Sequence, residues 1–391
     1  MEGRRLGVPG HGAGLTVSGI LVHEWLSHTG GSENVFEQLS TLFPDAERWC
    51  LWNESGGRFT GVRESVLAQT PLRGRKALAL PFMPLAWRSL PRRDADWILA
   101  SSHAFAHHAR FRGPARLAPK FVYAHTPARY VWDPDSDPRG SSGFARAVSR
   151  MLKPLDRRRA GEPVSIAANS RFVAERIERT WGRRAHVIHP PVDTDRYRAA
   201  PVLSARERQI VEGLPSDFVL GASRLVPYKR LDAAIDAGGA VDAPVVVAGS
   251  GPDRVRLEAY AAGSGAHVHF VDAPSTELLA ELYRRARVLV FAPVEDFGIM
   301  PVEAMASGTP VLVNAVGGAA ESVIHGATGA HVTHWTREHL TEAMAVADAV
   351  DRAACVTRSL EFSADVFDAN VNRWLQSELA SSPWPTSKEP R

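Results

Sequence analysis

The stretch Val288-Leu-Val-Phe-Ala-Pro-Val-Glu-Asp-Phe-Gly-Ile-Met-Pro-Val-Glu-Ala-Met-Ala306 joins a continuous apolar run to a polar bend and then to a helical pattern. Val288 to Ala292 reads as a strand buried on both faces, because nothing in it alternates with polar residues. Asp296-Phe-Gly298 supplies a turn, and Ile299, Val302 and Ala306 fall on one face of a following helix. The spacing places Glu295 in the loop and Glu303 a turn and a half into the helix, where both carboxylates can face one ligand. Aromatic and glycine residues at the bend, together with the positive end of a helix dipole, let backbone N–H groups approach an anion. An anionic group held beside a polyhydroxylated one suits this arrangement.

Seven further runs have the same character: Val17 to His23, Trp97 to Ser101, Phe121 to His125, Ser165 to Asn169, Phe218 to Ser223, Pro244 to Gly249 and Pro310 to Asn314. Helical segments separate them, so the class is α/β with parallel sheets. A chain of 391 residues exceeds one ordinary core. Two doubly wound halves facing across a cleft follow, with a proline-bearing boundary at Val187 to Tyr197. The expected division is a disordered segment over 1–16, domains over 17–195 and 196–361, a helix over 362–380 and a disordered tail over 381–391. The helix carries Phe362, Val366, Phe367, Val371 and Leu375 as its apolar stripe and is placed to cross back to the first domain.

Composition excludes several classes. Net charge is only +3, too mild to imply nucleic acid, and no aromatic-interleaved module suggests it. No run approaches the roughly 18 apolar residues of a membrane span, and the first residues lack the apolar core of a signal peptide. Cys50 and Cys355 lie far apart, which fits a reduced cytoplasmic setting. Basic residues cluster at Arg73, Arg75, Lys76, Arg88, Arg92 and Arg93 around the apolar segment Ala77 to Trp87. A second cluster comprises Arg146, Arg150, Lys153, Arg157, Arg158 and Arg159. Such cations beside apolar groups fit either a solvated face or peripheral contact with an anionic membrane.

In an open parallel sheet the residues just past strand ends meet at one crevice, so Arg224, Lys229, Gly249, Gly251 and Glu295 should converge. Arg224 and Lys229 there can offset charge growing on a leaving diphosphate; standing alone they read as solvated cations. Glu303 projects toward the crevice or toward water, and in the crevice a carboxylate can accept both hydroxyls of a ribose. In the first half, Gly30-Gly31 opens a helix with Val35, Phe36 and Leu39 inward, and His125 follows a strand. Metal binding finds little support. Asp133-Pro-Asp135 contains proline, Asp94-Ala-Asp96 precedes a strand and Asp193-Thr-Asp195 lies in the boundary turn. His103, His107 and His108 lack a carboxylate partner of the His-Glu-x-x-His kind, and no Gly-x-Ser-x-Gly elbow is present.

The order of motifs resembles the retaining glycosyltransferases of family 4, which have the GT-B architecture of two Rossmann-like domains. The matching elements are Gly30-Gly31-Ser-Glu33, His125-Thr-Pro-Ala-Arg-Tyr-Val-Trp-Asp133, Asn169-Ser170, Pro190-Pro-Val-Asp193, Arg224-Leu-Val-Pro-Tyr-Lys229, Gly249-Ser-Gly-Pro252, Glu295 to Ala306 and Gly317-Gly-Ala-Ala-Glu321. The resemblance implies that Arg224 and Lys229 hold the donor diphosphate, Glu303 the ribose, and Glu295 with the backbone of Phe297, Gly298 and Ile299 the sugar and phosphate. Gly30 and Gly31 would leave room for donor and acceptor, and His125 would lie at the reaction centre; Ser250 stands where the family often has an acidic residue. It further implies a metal-independent transfer of a hexose, with GDP-mannose the favoured donor and no cofactor, to a glycolipid or lipid-linked saccharide of surface-polysaccharide assembly. The setting would be the cytoplasm or the inner face of its membrane. A sugar-nucleotide epimerase and a non-catalytic nucleotide-sugar-binding subunit are the alternatives on the same architecture.

Overall fold

A computed structural model describes residues 18–133 and 143–381. All eight apolar runs form strands, each starting or ending within two residues of the expected bounds: Gly19–His23, Trp97–Ser102, Lys120–Ala124, Ser165–Ala168, Val219–Ala222, Val245–Ala248, Val288–Phe291 and Val311–Asn314. Seven more strands among the described residues escape the sequence pattern; two of them, Leu26–Ser27 and Asn53–Glu54, pair only with each other, and five join the two large sheets. Glu47–Cys50, Val62–Glu64, His186–Val187, Val268–Val271 and Gly329–Val332 lie at or toward sheet edges, where one side needs less burial and charged residues are tolerated.

The other thirteen strands form two sheets of seven and six, parallel throughout. With its own strands numbered in chain order, each sheet runs 3-2-1-4-5-6, and the first adds a seventh strand at its far edge. This is the dinucleotide-binding order, in which the connections reverse direction between strands 1 and 4 and open a crevice beyond their C-terminal ends. The GT-B architecture is therefore present. In the first sheet that crevice lies between Gly19–His23 and Trp97–Ser102, and in the second between Val219–Ala222 and Val288–Phe291.

Each sheet is covered on both faces. One face of the first packs Trp52, Trp87, Phe105 and Phe111; the other packs Phe36, Leu39, Phe121 and Tyr123. The last helix, Ala364–Ser381, crosses back and completes that second face with Phe367, Val371, Trp374 and Leu375. Burying these side chains stabilises the docking by about 2 kcal/mol each. The Trp374 indole N–H also donates to Ser165 Oγ at 2.9 Å, and Gln38 donates to Asp368 at 2.8 Å. Two details correct the expected stripe: Val366 is exposed, and Phe362 closes a separate short 3-10 turn packed in the second domain. Where the chain passes between the sheets its two crossings lie side by side, with Val192 N–H donating to the Phe362 carbonyl at 2.9 Å. The expected disordered segments fall outside the described residues, apart from Ser381, which ends the last helix. No helix among the described residues is long and apolar enough to cross a membrane.

Candidate active site

The reversal point of the second sheet carries an ion pair. Lys229 leaves the short turn Pro227–Lys229 after strand Val219–Ala222, Glu295 leaves the loop after Val288–Phe291, and Nζ donates to Oε1 at 2.6 Å with both side chains largely shielded. Arg224, on the same loop as Lys229, is exposed and donates to the Tyr228 hydroxyl at 2.9 Å, so its guanidinium borders the crevice. The Arg224 loop is fixed from behind. Leu225 N–H donates to Ser250 O at 2.8 Å, Asp253 N–H to Leu225 O at 2.9 Å, and Gly249 and Gly251 hold φ of 144° and 152° with their missing side chains replaced by the Ser223 and Leu225 backbone. Gly251, expected among the donor-binding residues, thus meets a packing requirement of this loop.

The Glu295 loop is clamped in the same way by Gly317-Gly318. Gly318 N–H donates to Glu295 O at 2.8 Å, and a side chain on Gly318 would collide with the Asp296 carbonyl. Gly298, at φ 83°, then turns the chain into the helix Ile299–Ala306 without any side-chain cap. The first-turn N–H groups of that helix are left for an anion. Phe297 turns its ring inward, 5.4 Å from His189 and 5.6 Å from Phe362, so only its backbone is at the crevice. Glu303 is half-buried, with its Oε2 accepting from Tyr283 at 3.2 Å. Burial pushes its carboxyl up to about 7, opposed by hydrogen bonds from Tyr197 and Tyr283. These tyrosines occupy the carboxylate that the resemblance assigns to a ribose.

The first domain faces this loop with Gly30, Gly31 and His125. Gly30 leaves the space that the buried Glu33 carboxylate fills, while the space beside Gly31 is bounded by Ile299 Cδ1, 3.2 Å from where a Cβ would stand. Gly31 therefore lets the glycine loop pack against Ile299 at the helix start of the second domain. His125 Nε2 shares a hydrogen bond with Ser101 Oγ at 2.8 Å, and the same hydroxyl meets His23 Nδ1 at 3.0 Å. His103 completes the cluster, 6.2 Å from His125 ring to ring. Burial holds His125 down at about 4 and His103 at about 3, although the Asp296 charge pulls His125 upward. Both imidazoles are neutral near pH 7.

Several residues that hold the two domains in register were not read as site residues. Asp296 Oδ2 accepts from Arg129 at 2.7 Å and Oδ1 from Arg176 at 2.5 Å, and Ser170 Oγ donates to the Asp296 carbonyl. Glu321, in the matched Gly317 to Glu321 motif, caps the first-domain helix Arg171–Trp181, accepting from the N–H groups of Arg171 and Phe172 at 2.9 Å each. His189 adds a contact to Glu321 at 3.2 Å. That helix has no acidic residue in its own first turn, the one sequence signal for an external anion.

Three members of the acidic pairs are engaged elsewhere. Asp96 accepts from Ser18, Asp193 caps its own helix, Asp195 pairs with Arg198, and Asp135 lies outside the described residues. The histidine set divides. His103 joins the His125 cluster, whereas His107 and His108 do have a carboxylate partner, Asp156, supplied by the helix Gly143–Arg159. Of the basic residues, Arg73 pairs with Glu64, Arg93 with Glu47, and Arg88 and Arg159 with Glu162, so much of that charge is spent internally.

A family model described as Glycosyltransferase Family 4 matches residues 29–196, and one described as Glycosyl transferases group 1 matches residues 206–347. The chain belongs to glycosyltransferase family 4. Among curated relatives of this family-4 chain, a D-inositol 3-phosphate glycosyltransferase of Mycobacterium avium (strain 104) is 34% identical over 215 residues, 49% of this chain and 50% of that one. A GDP-mannose-dependent alpha-(1-6)-phosphatidylinositol monomannoside mannosyltransferase of Mycobacterium tuberculosis (strain ATCC 25618 / H37Rv) is 30% identical over 226 residues, 52% of this chain and 59% of that one. The chain spans about half the length of the curated relatives it matches. Among solved structures, Anabaena Alr3699/HepE in complex with UDP-glucose aligns with a TM-score of 0.64 at 19% identity over 92% of this chain and 100% of that chain. Sucrose-phosphate synthase from Thermosynechococcus elongatus aligns with a TM-score of 0.65 at 17% identity over 93% and 100%. At these identities the structural likeness establishes the shared fold.

Proposed function

We propose that this family-4 protein transfers a hexose, with mannose from GDP-mannose favoured, to a glycolipid or lipid-linked saccharide, with retention of anomeric configuration and without a metal ion. The observation that carries the reading is the Lys229–Glu295 pair, 2.6 Å apart at the reversal point of the second sheet and beside an uncapped helix start. Arg224, Lys229 and the N–H groups of the Ile299 turn would take the departing diphosphate, doing with fixed charge what a divalent cation does in other transferases. Glu295 would then exchange its ammonium partner for sugar hydroxyls, and Glu303 would exchange its tyrosines for those of the ribose.

Retention follows if the leaving phosphate oxygen itself takes the acceptor proton on the face from which it departs. That route needs orientation and exclusion of water more than a side-chain nucleophile. His125, neutral and near the Asp296 loop, would border the transferred sugar from the first domain. The choice of GDP-mannose and of a lipid acceptor rests on the first-half motif and on the likeness to the mycobacterial GDP-mannose-dependent mannosyltransferase. Leu78, Phe82 and Leu85, exposed on the segment between Arg75 and Arg88, support a peripheral membrane contact.

A thermal-shift panel of GDP, UDP, ADP and their sugars tests the donor, since a ligand bound only by the folded state raises its stability. The expected result is a preference for GDP and GDP-mannose, followed by an α-linked product in transfer assays that is unaffected by chelator. A UDP preference overturns the mannose assignment, and a β-linked product overturns retention. Conversion of the free nucleotide sugar without acceptor would indicate epimerisation instead. Binding to vesicles of anionic lipid, lost on Leu78→Ser/Leu85→Ser, tests the membrane contact.

A further inference from the structure

We propose that His107, His108 and Asp156 form a buried metal site of the zinc class, distinct from the sugar-transfer cleft. His107 and His108 come from the short turn Ala106–His108, and Asp156 from the helix Gly143–Arg159. Asp156 Oδ1 lies 3.1 Å from His107 Nε2 and 3.0 Å from His108 Nε2, and all three ligand atoms fall within 4.8 Å of one another, fully enclosed. Bonds of about 2.0–2.2 Å in a tetrahedral zinc site place neighbouring ligand atoms about 3.3 Å apart, so the two histidine–aspartate separations would need to lengthen by only a few tenths of an ångström.

The hydrogen bonds around the cluster favour a cation over a simple network. With the Ser102 hydroxyl proton directed to Glu24 Oε1 at 3.2 Å, the contact of Ser102 Oγ with His107 Nδ1 at 3.1 Å depends on the tautomer, and in that arrangement the imidazole donates. The proton then sits on Nδ1, and Nε2 presents a lone pair toward a carboxylate oxygen. Consistent with that, His107 Nε2 makes no hydrogen bond although it is buried. Two acceptors facing each other in the interior are unfavourable, and a bound cation between them resolves the conflict. The other oxygen of Asp156 is already taken by the indole N–H groups of Trp132 at 2.7 Å and Trp181 at 2.8 Å, which would hold the carboxylate monodentate. An imidazole oriented by a hydroxyl and a carboxylate oriented by two indoles are the outer contacts that metal ligands characteristically have.

Two imidazoles and one carboxylate select zinc or a neighbouring first-row divalent ion over magnesium or calcium. The fourth position of a tetrahedral site would fall to a water. Such an ion would tie the turn after strand Trp97–Ser102 to the helices carrying Asp156 and Trp181 and to the segment carrying Trp132, and it has no place in the transfer reaction.

The test is elemental analysis of untagged protein produced in zinc-supplemented medium and purified without chelator, together with its cobalt-substituted form. The expected result is one equivalent of a first-row metal per chain that survives gel filtration, a visible d–d spectrum of tetrahedral cobalt, and a higher unfolding temperature than metal-free protein. His107→Gln and His108→Gln should each lose the metal and the spectrum, with nucleotide binding serving as the check that each variant is folded. Folded wild-type protein that takes up no stoichiometric metal and gives no cobalt spectrum overturns the proposal and leaves a protonated imidazole as the cation. Retention of the metal and its spectrum in both folded variants overturns it equally.

Discussion

Replacing Asp296 by Asn should weaken closure of the two domains while leaving each domain intact. The side chain is 17% exposed and accepts from Arg176, 18% exposed, and Arg129, 38% exposed. A hydrogen bond to a charged group contributes about 1.5–3 kcal/mol when shielded, and the Arg129 contact, being more open to solvent, contributes about 0.5 kcal/mol. Asn keeps the shape and the backbone carbonyl that Ser170 binds, but it removes the charge and replaces one of the two acceptor oxygens with an NH2 group that cannot accept from an arginine. The expected loss is about 2 kcal/mol of closure free energy, roughly a 30-fold fall in kcat/KM at 1.4 kcal/mol per decade. The assay is a double-mutant cycle with Arg176→Gln, read as kcat/KM for transfer, with thermal unfolding as the control. The double variant should be little worse than either single one, giving a coupling energy of about 1.5 kcal/mol. Additive effects, or an Asp296→Asn enzyme with unchanged kcat/KM, would refute the view that this contact helps to assemble the site.

Lys229→Ala and Glu295→Gln should each lower turnover by orders of magnitude with little change in unfolding temperature; wild-type rates in both would remove the pair from the mechanism. For Glu303 the sign of the pH dependence is definite. Its folded carboxyl lies at about 7 against an ordinary value of 4.5, so the bound proton stabilises the fold below about 4.5, and that contribution is lost as pH rises through 7. The difference is on the order of 3 kcal/mol at 1.36 kcal/mol per unit. Urea unfolding should show Glu303→Gln gaining on the parent between pH 5 and pH 8 (conditions chosen to bracket the transition), and parallel curves would contradict the shift. If the ionised carboxylate accepts the ribose hydroxyls, donor affinity of the parent should also fall below about pH 7, measured by calorimetry. Trp374→Ala should cost about 3–5 kcal/mol of stability through loss of a buried indole from the crossing helix, and a denaturation midpoint equal to wild type would show that this helix is not part of the first domain's core.

What the sequence disclosed follows from where information is local. Central parallel strands are covered on both faces and read as unbroken apolar runs, so all eight were legible; Glu47-Arg-Trp-Cys50 and Val268-His-Phe-Val271 carry polar residues near edges and were not. Lys229 and Glu295 could be brought together because both follow strands flanking the reversal point, which is a rule of topology. Gly251 could not be interpreted, since the contact that requires glycine is with the Leu225 backbone. Asp156 lies 48 residues from His108, and Asp296 lies 120 from Arg176. Neither pairing follows from spacing, because one depends on how a helix packs and the other on how two rigid domains meet.

The adjacency of Glu295 and Asp296 gives the Glu295–Glu303 segment a second role. Glu295 turns back to Lys229 within its own domain, and Asp296 turns outward to Arg129 and Arg176 of the other. Gly317-Gly318 packs against the backbone of both residues, so any displacement of that backbone carries both side chains with it. A ligand that engages Glu295 and fixes this loop therefore also fixes the acceptor of the interdomain ion pairs, and it lowers the entropy lost on closure. The same Asp296 charge acts on His125, drawing its imidazole upward against the effect of burial. Separation of the domains would remove that charge from His125 and leave it still more firmly neutral. Donor capture, domain closure and the protonation preference of the first-domain histidine are thus linked through two consecutive residues, and a change at Asp296 should alter the response of all three together.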